Sequence, residues 1–245
     1  MKKSTKNDPM AGHMLAEPHR IGRGEIFRNI ILGGQDGVVN VLGIVLGVAT
    51  ATASSQIVLL AGLAATFAES VSMAAVAYTS SRAVAEHYES ERKKEIDEME
   101  HLADVERKEI EDIYRQKGFS GKLLDQVVDR ICSNKKVWLE TMMREELRIE
   151  NPEEGMSPFR QGLLVGFSAI VGSFIPITAY FFLPTTEATV VGTALSFAVL
   201  FVLGAYKSHL TSGKWLKGGL ELMLIGGAAA LAGYAVGLFF QIPHP

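Results

Sequence analysis

The chain has 245 residues, with 24 Lys+Arg, 27 Asp+Glu and a formal net charge of −3. Hydrophobic residues make up 48%, yet residues 80–157 alone hold 14 Lys/Arg and 20 Asp/Glu, and the rest is mostly apolar. That segregation argues against a single water-soluble globule, and an acidic charged segment argues against a nucleic-acid binder. Cys132 is the only cysteine, which excludes a disulfide framework and a Cys-based zinc site.

Residues 1–28 carry six Lys/Arg and no continuous apolar core. They read as a basic cytosolic tail suited to anionic lipid rather than as a cleaved signal. A helix needs about 20 apolar residues to cross a bilayer, and five stretches qualify: 29–52, 57–79, 159–183, 188–206 and 218–240. As buried helices of a soluble core they would need more amphipathic partners than the chain supplies. The expected fold is all-α, a multi-pass membrane protein with five transmembrane helices. It divides into a tail (1–28), two spans (29–80), a charged helical insert (81–157) and three further spans (158–245).

The first span contains Gly33-Gly34-Gln35-Asp36-Gly37. A carboxylate at mid-membrane costs roughly 2.5–3.5 kcal/mol on insertion scales, and is tolerated where it lines a wet cavity or meets a cation. Asp36 lies roughly 12 Å of helix beyond Arg28, too deep for a simple interfacial cap. The glycines permit a bend or a close helix approach, and Asn40 follows one turn on, on the same face. In the second span Glu69 and Met73 are four residues apart and share a face. A hard carboxylate beside a soft thioether suits a transition metal better than Ca²⁺ or Mg²⁺. Asp36, Asn40, Glu69 and Met73 are therefore the candidate cation-handling residues of the spans.

From residue 81 the second span continues into a charged helical stretch that Lys117-Gly118 ends. Ser120 is placed to cap a second helix, to about residue 133, and Asn134 a third, to about residue 150. Glu95-x-x-Glu98 and Glu106-x-x-Glu109 put four carboxylates on one face. An unbroken helix would keep the two pairs about 16 Å apart. A break near residues 102–104, with Asp104 as cap, would let them turn toward each other. Met142, Met143 and Glu146 converge at i, i+3 and i+4 spacings on the third helix. From spacing alone this segment is either a solvated charged face or a metal site. Glu98-x-x-His101 is also the motif of carboxylate di-iron bundles, but such bundles use two copies and the insert has one.

Ser157-Pro158 opens the third span, and Gly172 and Pro176 mark a kink in it. Glu221 lies near the cytosolic end of the fifth span, and Lys207 and His209 fall in the loop between the fourth and fifth. All 24 basic residues lie on one side of the five spans: before residue 29, within 80–157, at Arg160, and at Lys207, Lys214 and Lys217. The positive-inside rule puts the N-terminus and the insert in the cytosol.

Taken in order, Asp36-Gly37, Glu69-Ser70-Val71-Ser72-Met73, the two Glu pairs, the run from Trp138 through Met142-Met143 to Glu146, and Phe174-Ile175-Pro176 resemble the vacuolar iron transporter family over nearly the whole chain. The resemblance implies a homodimer with five spans per subunit, and not an enzyme. It implies export of Fe²⁺, with Mn²⁺ or other divalent metals as further substrates, from the cytosol to a vacuole or the cell exterior in exchange for protons. The membrane would be vacuolar in a eukaryote and the plasma membrane in a prokaryote. In that scheme Glu95, Glu98, Glu106, Glu109, Met142, Met143 and Glu146 collect metal at the pore mouth, and Asp36 and Met73 line the path. One position departs: the family pattern has an acidic residue where Ala65 stands, and Glu69, one turn later on the same face, is the candidate substitute. The rival readings are a membrane-tethered di-iron oxidase built on Glu98 and His101, and a non-transporting adaptor whose acidic insert binds a basic partner.

Overall fold

The computed structural model describes residues 21–52, 54–211 and 213–240. Residues 1–20 of the expected tail lie outside the described residues. Among the described residues there is no β-strand. The helices are α1 (Ile21–Thr52), α2 (Ser55–His101), α3 (Ala103–Gln116), α4 (Gly121–Cys132), α5 (Lys135–Thr141), α6 (Pro158–Ile177), α7 (Thr185–Thr211) and α8 (Trp215–Phe239). A π turn, Met142–Glu146, follows α5, and short 3₁₀ turns cover Pro152–Glu154 and Thr178–Phe181. Five helices are long and apolar enough to cross a membrane, and the chain is an all-α multi-pass membrane protein. It divides into two compact units, residues 79–157 and the remainder.

In the apolar unit α1 packs against α6, α7 and α8. Its buried side chains Val38, Val41, Leu42 and Val45 supply the centre of the core. Val41 and Val45 meet Val58, Ile177, Tyr180 and Ala188, and Val38 meets Leu200 and Leu222. The outward faces are as hydrophobic as the core: Leu60, Val71, Leu224 and Leu231 are each at least 70% exposed. Such surfaces are stable only against lipid or another apolar partner. Several hydroxyls inside the spans donate within their own helices: Thr66 to the Gly62 carbonyl (2.8 Å), Ser70 to that of Thr66 (2.6 Å) and Ser196 to that of Gly192 (2.7 Å), whereas the buried Ser173 hydroxyl has no partner.

The glycines of the first span serve close approach. A Cβ at Gly33 would lie 2.2 Å from the Val165 carbonyl oxygen, and one at Gly37 would lie 2.3 Å from that of Ala169. Gly172 answers from α6, where a Cβ would sit 2.2 Å from the Gly34 oxygen. The backbones of α1 and α6 therefore touch at these glycines, with only the small side chains of Ser168 and Ser173 beside the contact, as small residues allow in membrane helices.

Several boundaries differ from the sequence reading. The first helix already runs through residues 21–28, ahead of the apolar stretch that starts at 29 and across Gly22 and Gly24. Lys207 and His209 lie in the last turns of α7, not in a loop. The α-helix of the third span ends at Ile177, directly after Pro176, and tightens to a 3₁₀ turn.

In the acidic unit α2 stops at His101 and α3 starts at Ala103. The break falls where the carboxylate spacing requires it, but Asp104 is not the cap. Leu102 occupies that position with φ −126°, and no side chain bonds the free amides. The gain is apolar: the turn lets Met99 and Ile110 join Leu124, Val128, Ile131, Trp138 and Met142 in one buried cluster. Ser120 stands before α4 without a side-chain cap bond. Asn134 does cap α5, its side chain accepting from the amides of Lys136 (3.0 Å) and Val137 (3.3 Å). The third insert helix widens into the π turn at Met142 and ends at Glu146, short of residue 150.

Candidate metal sites

The helix break turns α3 back so that Glu106 comes to Glu95, and the π turn brings Glu146 to both. One carboxylate oxygen from each of these three residues lies within 4.8 Å of the others. Glu95 and Glu106 are buried, at 2% and 4% exposure, and each has an Oε2 atom with no hydrogen-bond partner. A buried carboxylate oxygen without a partner is costly unless a cation or proton meets it. Burial pushes the Glu106 carboxyl up to about 7, and the charges of Glu109, Glu95, Glu146 and Glu98 push the same way. Burial likewise raises Glu146 to about 7, followed by the charges of Glu109, Glu95 and Glu98. Glu146 is exposed as a residue, but its carboxyl end is drawn into the cluster. Three hard oxygen donors this close together could hold one divalent cation.

The other candidates of this segment lie around that triad. Glu98 is part-buried and 3.8 Å from the Lys94 ammonium, and Glu109 adds charge to Glu106 and Glu146. Met143 is buried in the π turn at 3% exposure, while Met142, at 0%, packs into the apolar cluster. The His101 ring is exposed, with Nδ1 2.9 Å from the Asp97 carbonyl oxygen and 3.2 Å from Asp97 Oδ1. It lies outside the carboxylate group, which removes the second half of the di-iron motif.

Within the spans, Asp36 and Glu69 are half-buried on α1 and α2. Asn40 donates from Nδ2 to Glu69 Oε1 across 2.7 Å. The carboxyl groups of Asp36 and Glu69 also come within hydrogen-bonding reach of each other. Met73 is half-buried one turn beyond Glu69. Ala65 packs against the apolar cluster of α1, α2 and the Thr178–Phe181 turn, so no acidic group stands at that level of α2.

Sequence reasoning missed the charged groups that brace the insert. Lys117 bonds Glu145, Lys135 lies 3.7 Å from Glu100, and Arg107 bonds Asp129. These pairs join residues 22 to 35 positions apart, beyond the reach of helix spacing rules.

Five apolar helices, a carboxyl pair inside two of them and a compact acidic unit with a three-carboxylate site define a membrane protein equipped to handle cations. The chain belongs to the VIT family, which it matches over residues 27–238. It is 32% identical over 219 residues to vacuolar iron transporter 1 of Arabidopsis thaliana, covering 89% of this chain and 87% of the relative. Vacuolar iron transporter 2 of Oryza sativa subsp. japonica is 32% identical over 214 residues, 87% of each chain. The vacuolar iron transporter of Plasmodium berghei is 31% identical over 235 residues, 92% of this chain and 86% of the relative.

Proposed function

We propose that this protein is a transporter, not an enzyme, and that it moves Fe²⁺, with Mn²⁺ as a second candidate substrate, out of the cytosol in exchange for protons. The observation that carries the reading is the meeting of Glu95, Glu106 and Glu146, two of them buried with unpartnered oxygens. The names of the relatives supply the iron.

The acidic unit, with Glu98, Glu109, Met142 and Met143 around the three carboxylates, captures the ion from the cytosol and raises its local concentration. In the spans the ion exchanges water for Asp36, Glu69 and Met73, with Asn40 orienting Glu69. Protonation of Asp36 and Glu69 from an acidic far compartment releases the metal, because ligation needs the ionised form. Glu69 takes the part of the acidic group absent at Ala65. Asn40 is exposed in the single protomer; a polar side chain on a span is unfavourable against lipid, which supports a homodimer with this face covered by the second copy. The distribution of Lys and Arg supports a cytosolic N-terminus and acidic unit. By analogy with the relatives the membrane is vacuolar in a eukaryote and the plasma membrane in a prokaryote.

The test is Fe²⁺ uptake into proteoliposomes with an imposed proton gradient. Asp36→Ala and Glu69→Gln abolish uptake on this reading. Wild-type rates in both variants would refute the pathway, and uptake indifferent to the gradient would refute the exchange.

A further inference from the structure

The turn that delivers Glu146 is an irregular one. It is closed by the Leu147 amide on the Met142 carbonyl (3.2 Å) and the Ile149 amide on the Met143 carbonyl (3.0 Å). Arg148 takes a left-handed φ of 56° to make the exit, and a non-glycine residue there needs support from its surroundings. On the inner side the support is the burial of Met142 and Met143. On the outer side it is one ion pair. Lys117, the residue that ends α3, donates from Nζ to Glu145. The same ammonium lies 5.0 Å from the centroid of the Tyr114 ring, a cation–π contact. Tyr114 stands edge-on to Phe119 at 5.7 Å, and both rings pack on the apolar cluster. Arg115, the other cation at this end of α3, is occupied by Glu111 and Asp112.

Consecutive residues of a helical turn point in different directions. Glu145 reaches out to Lys117, and Glu146 reaches in to Glu95 and Glu106. Holding the first therefore sets the rotation of the second. We propose that Lys117 is a positioning residue for the three-carboxylate site: by bonding Glu145 while its own ammonium rests over the Tyr114 ring, it fixes the π turn in the rotation that presents Glu146 to the metal. This rests on the metal-site reading of Glu95, Glu106 and Glu146.

Simple electrostatics predicts the opposite sign. Removing a positive charge near a cluster of carboxylates strengthens the binding of a divalent cation, whereas loosening the turn weakens it. The experiment is anaerobic calorimetric titration of the full-length protein in detergent with Fe²⁺, alongside the melting temperature of the metal-free protein. Lys117→Ala weakens binding about fivefold, short of the roughly 10–100-fold loss typical of groups bonded directly to a metal ligand. The melting temperature stays near wild type, because a half-exposed ion pair contributes little to stability. The charge-reversed double variant Lys117→Glu/Glu145→Lys, which leaves net charge unchanged but gives up the contact with Tyr114, recovers part of the affinity that Lys117→Ala loses. Equal or tighter binding by Lys117→Ala overturns the proposal. If Lys117→Ala also melts early, the double variant decides, and failure to recover any affinity overturns it. Equal Fe²⁺ binding by wild type and Glu106→Gln would remove the metal-site reading, and this inference with it.

Discussion

Asn40 on α1 and Glu69 on α2 are joined by a 2.7 Å hydrogen bond inside the apolar unit, with Asp36 one turn away from Asn40 and its carboxyl beside that of Glu69. The amide occupies one Glu69 oxygen, Oε1, and on the proposed reading leaves the other for a cation. Asn40→Ala lowers Fe²⁺ uptake in proteoliposomes about tenfold, the rate equivalent of the roughly 1.5 kcal/mol that a hydrogen bond to a charged group is worth. Protein yield and melting temperature stay close to wild type. An unchanged uptake rate would show that Glu69 is oriented without Asn40.

In the acidic unit, Glu106→Gln separates binding from folding. The substitution keeps the side chain's shape and removes one of the mutually repelling buried charges. Fe²⁺ affinity falls by at least about tenfold, as expected when one of three ionised ligands is lost. The metal-free protein at pH 8 melts no lower than wild type, because a desolvated charge has been removed. A lower melting temperature with unaltered affinity would make Glu106 a structural residue.

The pH dependence has a definite sign. Glu106 and Glu146 are raised from 4.5 to about 7, so the folded unit binds their protons more tightly than the unfolded chain does. Their contribution to stability is complete below about pH 4.5 and is lost as pH rises through about 7. The metal-free acidic unit therefore loses stability between these values, measured by the melting of its signal in pH-stepped scans. Metal affinity runs the other way, rising with pH through about 7 and levelling off above it, because the cation competes with those protons. An Fe²⁺ affinity that does not change between pH 5.5 and 8 would contradict this.

At the α1–α6 contact, Gly37→Ala has no space to enter: its Cβ would lie 2.3 Å from the Ala169 carbonyl oxygen, a backbone atom that cannot rotate away. The cost is about 1–3 kcal/mol, the usual range for overpacking. It is read as a drop in the thermal midpoint of the detergent-solubilised protein. Gly24→Ala, where a Cβ meets nothing within 4 Å, is the control and leaves the midpoint unchanged or slightly higher, because Ala favours the helix.

The parts legible in the sequence are those governed by one-dimensional rules. Five apolar stretches of bilayer length identify five spans, because the length and hydropathy of a spanning helix are both set by the membrane. The helix break beside Leu102 is legible only indirectly. No proline or glycine marks it, and its location follows from asking how Glu95 and Glu106 could meet. Asp104 is the natural cap by composition, yet Leu102 takes the place because burying Met99 and Ile110 outweighs one capping bond. The π turn is not legible at all: Met142 to Glu146 carry α-helical spacing, and the widening comes from the packing of Met142 and the left-handed exit at Arg148. Asn40 reads as a neighbour of Asp36, but its bond to Glu69 crosses between helices 29 residues apart, and no local pattern encodes it. Lys117 and Glu145 look like ordinary surface charges until the fold puts them together.

The bare backbone contact between α1 and α6 limits how the molecule can move. Gly33, Gly37 and Gly172 set the two backbones against each other with only the small side chains of Ser168 and Ser173 beside them, so parting the two helices would open a seam that nothing in the chain fills. On the proposed transport reading this pair would travel as one piece, and the hinge would lie elsewhere than in this seam.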